Sequence, residues 1–149
     1  MKDPQGRQVF TLAQANDLVP TLKMRFSRIF AHQARLREVG QELKSLGVDI
    51  RAGQWRPSPR DTPHSGRLKA DFARFLDETN HELAAIHMLG ALVKDLHQGH
   101  VDFPALIGGK PAFFCWQYGE DEVLHWHQEQ ATFVQREPID PGRNPTKIH

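Results

Sequence analysis

The chain has 149 residues, of which 39% are hydrophobic and 25% charged, and its 19 basic residues nearly balance its 18 acidic ones. This length suits one domain, residues 1–149, and the near-neutral total argues against the basic field that non-specific nucleic-acid binding needs. A single Cys permits no internal disulfide, the N-terminus lacks a signal-peptide pattern, and no stretch approaches the ~20 apolar residues of a membrane span. We therefore expect a cytoplasmic protein without a membrane anchor.

A long first helix is predicted from about residue 12 to residue 46. Thr11 and Gln14 have the spacing of a capping box, in which each side chain bonds the other residue's backbone amide. Apolar residues then recur at alternating steps of four and three, the pattern of a packed helical seam. Pro20 removes one backbone hydrogen bond and should kink the helix without ending it, and Gly47 supplies the stop.

A polar connection of about twenty residues, 47–66, follows the first helix. It contains three prolines, several arginines and Trp55. Connections of this length in a compact domain are either functional or mobile. The segment is thus either a mobile hairpin tip or an interaction loop that uses Trp55 with Arg51 and Arg56.

A second helix is predicted over about 67–97. Its seam again steps by four and three and includes Leu76 and Leu83, with His97 as a favourable cation near the C-terminus and Gly99 as the cap. Two long helices with matching seams should form an antiparallel hairpin. One partner helix cannot cover the broad apolar stripe, which predicts a homodimer that pairs two hairpins into a four-helix bundle.

In the C-terminal third the apolar pattern changes from that of helices to that of strands. It predicts a β-meander over about 101–128, followed by an irregular tail, 129–149. The turns are expected at Gly108–Gly109 and at 119–122. A four-residue second turn places Cys115 opposite Trp126, and a free Cys among aromatic residues is more often a small buried hydrophobe than a nucleophile. The fold class is therefore α+β, mainly α: a long antiparallel two-helix hairpin followed by a small antiparallel β-meander.

Titratable and aromatic side chains crowd into residues 94–136. His125 and His127 lie two apart, so a strand would present both imidazoles on one face with Trp126 on the other. Two such His are either hydrogen-bonded structural residues or half of a divalent-metal site. The candidate metal ligands are His127, His125, Asp95 and Asp102.

Several phrases of the chain resemble the uncharacterised bacterial family called domain of unknown function 2203. These phrases are Phe10-Thr11-Leu12, Ala15-Asn16, Pro20, Lys94-Asp95-Leu96, Gly99, Val101-Asp102-Phe103-Pro104, Cys115-Trp116, Gly119-Glu120, Val123, Trp126-His127, Phe133 and Arg136. The resemblance implies a helical hairpin with a β-hairpin and favours His127 over His125 as the family-type residue. It implies no activity.

The leading hypothesis is a small binding or assembly module with a polar and aromatic pocket. The candidate pocket residues are Asp95, Asp102, Trp116, Glu120, Trp126, His127 and Arg136. A metal-dependent enzyme that uses His127 with nearby carboxylates is the alternative, so the sequence leaves open whether the protein is an enzyme. Nucleic-acid binding through the 51–60 loop is a weaker third hypothesis.

Overall fold

A computed structural model describes residues 1–139, and the last ten residues of the predicted tail lie outside this part. Two helices pack together and precede a five-stranded antiparallel sheet in the order β1-β2-β3-β4-β5, which confirms the predicted fold class. The elements are α1 Leu12–Ser45, α2 Pro63–Met88, β1 Leu92–Asp95, β2 His100–Ile107, β3 Lys110–Gln117, β4 His125–Gln128, a 3₁₀ turn Phe133–Gln135 and β5 Glu137–Pro138.

The predicted first helix is confirmed in its start, its course and its stop. The Thr11 amide donates to Gln14 Oε1 at 2.9 Å and the Gln14 amide donates to Thr11 Oγ1 at 3.1 Å, which completes the capping box. Pro20 lies inside the helix without ending it. Gly47 follows the helix with φ +83, a left-handed conformation that Gly adopts without steric cost.

The second helix begins earlier than predicted, at Pro63 instead of residue 67. Thr62 and Ser65 bond each other's backbone amides at 2.9 and 3.1 Å and so cap the helix. Pro63 occupies the first helical position, where its missing N–H costs nothing. Because this segment is polar, the pattern of apolar residues did not predict that the helix starts here.

The prediction that the second helix reaches residue 97 is wrong, because it ends at Met88. Gly90 has φ +90, which breaks the helical path. The next residues, Leu92–Asp95, form β1 and pair with β2. His97 and Gly99 therefore belong to the turn between β1 and β2 and do not cap a helix.

Contacts divide the chain into two compact units, of which Ser27–Leu83 contains most of the helical hairpin. Arg28 forms an ion pair with Glu82 at 3.5 Å, and His32 Nδ1 lies 3.3 Å from Glu78 Oε2, as expected for antiparallel neighbours. The core of this unit consists of Val39, Leu43, Leu68 and Phe75, with Leu36, Val48, Ile50 and Phe72 packed against it.

The α2 seam differs from the predicted one. Thr79 and Ile86 are buried, as the predicted seam requires, whereas Leu76 and Leu83 are only half-buried and Phe75 and Glu82 are buried instead. The buried stripe therefore runs through Phe75, Thr79, Glu82 and Ile86, at steps of four, three and four, and agrees with the predicted seam only in part.

The connection between the helices packs onto α2. The Trp55 ring lies 5.7 Å from the Phe72 ring. Lys69 is buried, and its Nζ donates to Asp61 at 2.6 Å and to the Arg56 carbonyl at 3.1 Å. Trp55 therefore has a structural role, because its ring packs within the hairpin unit.

The other unit contains Met1–Phe26 and the described residues from Ala84 to 139, and its sheet has one strongly apolar face. Phe103 and Trp116 are fully buried there. The Phe10 ring meets Phe103 at 5.3 Å, and the Phe26 ring on the first turns of α1 meets Trp116 at 6.1 Å. The start of α1 therefore covers this face of the sheet.

The first predicted turn of the meander is confirmed, and the second is wrong. Gly108 and Gly109 both have positive φ and join β2 to β3 as a two-residue hairpin. The link between β3 and β4 is longer than four residues, so Cys115 pairs with His125 and not with Trp126.

The longer link has a tertiary cause. Val123 is buried, and its amide donates to Asn16 Oδ1 on α1 at 2.7 Å. This contact holds the chain away from the tight turn that the sequence predicted and shifts the pairing by one residue.

The described part of the predicted irregular tail contains a 3₁₀ turn and the short strand β5, which pairs with β4. No helix among residues 1–139 is long and apolar enough to cross a membrane.

Candidate functional site

One face of the sheet carries buried polar groups. Asp102 on β2 pairs with Cys115 on β3, which pairs with His125 on β4, and Phe113 pairs with His127. Residues paired across antiparallel strands share a face, and residues two apart along a strand do too. Asp102, Cys115, His125 and His127 thus define a polar face, opposite the apolar face.

His127 and Asp102 form a buried pair at the centre of this polar face. His127 Nε2 lies 3.0 Å from Asp102 Oδ2, and His127 Nδ1 lies 2.8 Å from the Gln128 carbonyl oxygen. The two residues are only 3% and 4% exposed. Both ring nitrogens face acceptors, and only the doubly protonated imidazolium can donate to both.

The pKa of His127 follows from these contacts. Burial alone would lower the pKa, but the hydrogen bonds to Asp102 and to the Gln128 carbonyl, with the Asp102 charge, raise it above its ordinary value. The expected rise of the His127 pKa beside a carboxylate is therefore confirmed. Asp102 holds the imidazolium as an ion pair.

A pocket of about 380 Å³ opens beside this pair. It is lined by Lys94, Asp95, His100, Asp102, Phe113, His127, Glu129, Ala131, Thr132 and Phe133. The His100 and Phe133 rings stack with centroids 3.6 Å apart. His100 is only 9% exposed, and its Nε2 has no hydrogen-bond partner among the described residues.

A second polar cluster adjoins the pocket through Phe133. The Arg136 guanidinium lies over the Phe133 ring at 4.2 Å and donates to Glu120 Oε1 and Oε2 at 3.2 and 3.3 Å. Glu120 also accepts from the Gln117 amide at 2.6 Å. Phe133 is thereby held between the His100 ring and Arg136.

His125 belongs to this second cluster and has a different environment from His127. Its Nδ1 lies 3.6 Å from Glu120 Oε2, beyond hydrogen-bond distance. Burial and the Arg136 charge lower the pKa of His125, and Glu120 offsets them only in part. The two His of one strand face therefore favour opposite protonation states, with His125 neutral.

Cys115 is fully buried on the polar face, as expected for a structural thiol. Burial, followed by the Asp102 charge, raises its pKa to about 12. A nucleophilic Cys requires a lowered pKa, so Cys115 is not activated for thiolate chemistry.

Three of the predicted pocket residues, Asp95, Asp102 and His127, line the pocket, and Glu120 and Arg136 form the adjoining cluster. The two predicted Trp lie elsewhere. Trp116 is buried on the apolar face, with its Nε1 donating to the Glu120 carbonyl at 2.9 Å, and Trp126 pairs with Phe114 on the same face.

The four candidate metal ligands do not assemble. Within residues 1–139, no group of three His, Cys, Asp or Glu side chains could hold a metal ion. His127 uses both nitrogens on protein oxygens, and Asp95 Oδ1 accepts the amides of His97 and Gln98 at 3.0 Å. His125 faces Glu120 instead.

The site predicted from the sequence did not include three residues that line the pocket, Lys94, His100 and Phe133. His100 lies two residues before Asp102, so it shares the polar face once β2 is known to begin there. Phe133 lies in the segment predicted to be irregular. No residue pattern predicts that its ring stacks on His100. Phe133 was singled out only as one of the residues that carry the family resemblance.

The chain belongs to the family of uncharacterized conserved proteins DUF2203, whose model matches residues 8–139. This confirms the resemblance drawn from its motifs. The match includes both helices, all five strands and every residue that lines the pocket. The chain matches no curated protein and no solved structure.

Proposed function

We propose that the protein is a small binding module whose ligand occupies the pocket beside the His127–Asp102 pair. The observation that carries the proposal is this buried ion pair on the wall of a concave pocket. A buried ion pair is often no more stabilising than apolar residues of similar volume. Ligand sites, in contrast, regularly combine a mostly apolar cavity with a few placed polar groups.

A binding role fits His127 better than the alternative of a metal-dependent enzyme. A general base or a metal ligand needs one ring nitrogen directed at the substrate or the metal. Both nitrogens of His127 are engaged with protein oxygens, at 2.8 and 3.0 Å. The pair instead supplies a fixed, polar wall to the pocket, as a preorganised binding site requires.

The test is a fragment-binding experiment on the full chain, read by two-dimensional NMR of the His ring signals. Three probes share one phenyl ring and differ in charge: benzoate, benzyl alcohol and benzylammonium. Ala131→Trp should fill the pocket and abolish binding, because Ala131 lines it. Val134→Trp in the same segment is the matched control, since Val134 is 90% exposed.

At least one probe should shift the His100 and His127 signals in the wild type and in Val134→Trp, but not in Ala131→Trp. Failure of all three probes to shift these signals would overturn the proposal. Equal binding by both Trp variants would place the probes outside the pocket and would overturn it as well.

The assembly half of the proposal is a homodimer formed through α2. The half-buried state of Leu76 and Leu83 supports it, because these apolar side chains are not fully covered within the hairpin. Light scattering should give twice the chain mass of 17.0 kDa. The monomer mass over a wide concentration range would contradict it. The proposed location is the cytoplasm, in keeping with the single Cys.

A further inference from the structure

Resting on the proposed function, we infer that the ligand of this pocket is a small organic carboxylate with an aromatic or otherwise flat apolar body. Lys94 and His100 would bind the carboxylate, and Phe113 and Phe133 would contact the apolar part. The acceptors of the pocket are occupied by other groups of the protein, whereas two of its nitrogen groups have no such partner among the described residues.

The acidic groups of the pocket are already satisfied. Asp102 binds the His127 imidazolium at 3.0 Å, and Asp95 accepts two backbone amides in the β1–β2 turn. Glu129 accepts from Gln5 at 3.2 Å and from Arg7 at 3.5 Å. A cationic ligand would have to compete with these partners for each carboxylate.

The nitrogen groups differ in this respect. The Lys94 ammonium lies 5.7 Å from the centre of the Phe113 ring, and no carboxylate among the described residues pairs with it. His100 Nε2 is buried without a hydrogen-bond partner in the described part of the chain. A buried polar group left without a partner is costly, and in the tautomer that carries a proton on Nε2 His100 would donate to an acceptor that enters the pocket.

The walls favour a flat body on the acceptor. Phe113 is buried beneath the Lys94 and Arg7 cations, whose charges lie 5.7 and 5.0 Å from the ring centre. Phe133 stacks in parallel on His100, with an interplanar angle of 9°. Both faces of Phe133 are covered, by the His100 ring and by the Arg136 guanidinium, so a flat ligand would meet the edge of this ring, which is a favoured contact between aromatic groups.

The three probes of equal size test the ligand class directly. Benzoate should bind more tightly than benzyl alcohol, and benzylammonium should bind least. Lys94→Gln removes the exposed charge and should weaken benzoate about fivefold while leaving benzyl alcohol unchanged. Lys110→Gln is the matched control, because Lys110 is exposed at the far end of β3 and does not line the pocket.

His100→Phe preserves a flat ring for Phe133 and removes the ring nitrogens. It should weaken benzoate about tenfold, as the loss of a hydrogen bond to a charged group does. If Lys94→Gln and His100→Phe bind benzoate as the wild type does, the inference is overturned. Tighter binding of benzylammonium or benzyl alcohol than of benzoate would also overturn the ligand class while leaving the binding function intact. If none of the probes binds, the proposed function itself fails.

Discussion

The helical hairpin and the polar face of the sheet bury their side chains for different reasons. In the hairpin unit, Leu43 and Phe75 bury apolar surface, which is the main favourable term in folding. On the polar face, the fully buried positions include a thiol, and an ion pair is almost as deeply buried. Burial of apolar surface explains most of the hairpin core, although this unit also buries Lys69 beside Asp61. Apolar residues of similar volume are often as stabilising as a buried ion pair, so stability alone does not explain the His127–Asp102 pair, and the proposed ligand binding would supply a reason for it.

The largest expected effect concerns Cys115 and tests whether the polar face is closed. A rise in its pKa from 9.0 to about 12 lowers the thiolate fraction about a thousandfold at neutral pH. Alkylation of the native protein should therefore be slower than alkylation in denaturant by about this factor or more. Similar rates in both states would show that the polar face is open to solvent and would remove the contrast with the hairpin.

Leu43→Ala tests the hairpin side of the comparison. Leu43 is fully buried, and a change of this kind typically lowers the free energy of unfolding by about 2–5 kcal/mol. Leu46→Ala, one turn on and 50% exposed, should change it by less than about 0.5 kcal/mol. Equal midpoints for the two variants in chemical denaturation would mean that Leu43 is not in the core.

Asp102→Ala tests the polar side. It leaves the buried His127 without its anionic partner and should lower the free energy of unfolding by about 1–3 kcal/mol. It should also lower the pKa of His127, measured by NMR of the ring. Asp121→Ala is the control, because Asp121 is 95% exposed and pairs only with Lys23 in the described contacts, so its loss should leave the free energy of unfolding close to the wild-type value. A neutral Asp102→Ala variant would mean that the pair does not stabilise the sheet.

The smallest effect is the pH dependence of the same pair. The folded state raises the pKa of His127 above its ordinary value of 6.5, so the folded state binds this proton more tightly than the unfolded chain does. The stabilisation is fully present below pH 6.5 and is lost as the pH rises through the folded pKa. The difference in unfolding free energy between wild type and His127→Gln should therefore shrink with rising pH, and a difference that grew would contradict the assigned charge.

Local patterns predicted the elements well where local chemistry decides them. The capping box at Thr11, the stop at Gly47 and the Gly108–Gly109 hairpin all depend on residues within a few positions of each other. The alternation of β4 correctly placed His127 on the face opposite Trp126, and the carboxylate beside it proved to be Asp102.

The errors have different causes. The β3–β4 register shifted by one residue because Val123 bonds Asn16, which is 107 positions away in the chain. The second helix ends at Met88, just before Gly90 with its φ of +90, and Leu92–Asp95 then pair with β2. No sequence window contains the first contact, whereas Gly90 is a local stop signal that the apolar periodicity concealed.

Fold class, the start of the first helix and the presence of a polar strand face were determined by the sequence itself, because periodicity and capping act between near neighbours. The composition of the pocket was decided only by tertiary structure. Asp102 on β2 raises the pKa of His127 against the effect of burial, and the His100 ring is covered by Phe133 from a segment that was predicted to be irregular. Burial and hydrogen-bond partners are properties of the assembled sheet, and they decide which of nine His can serve in a site.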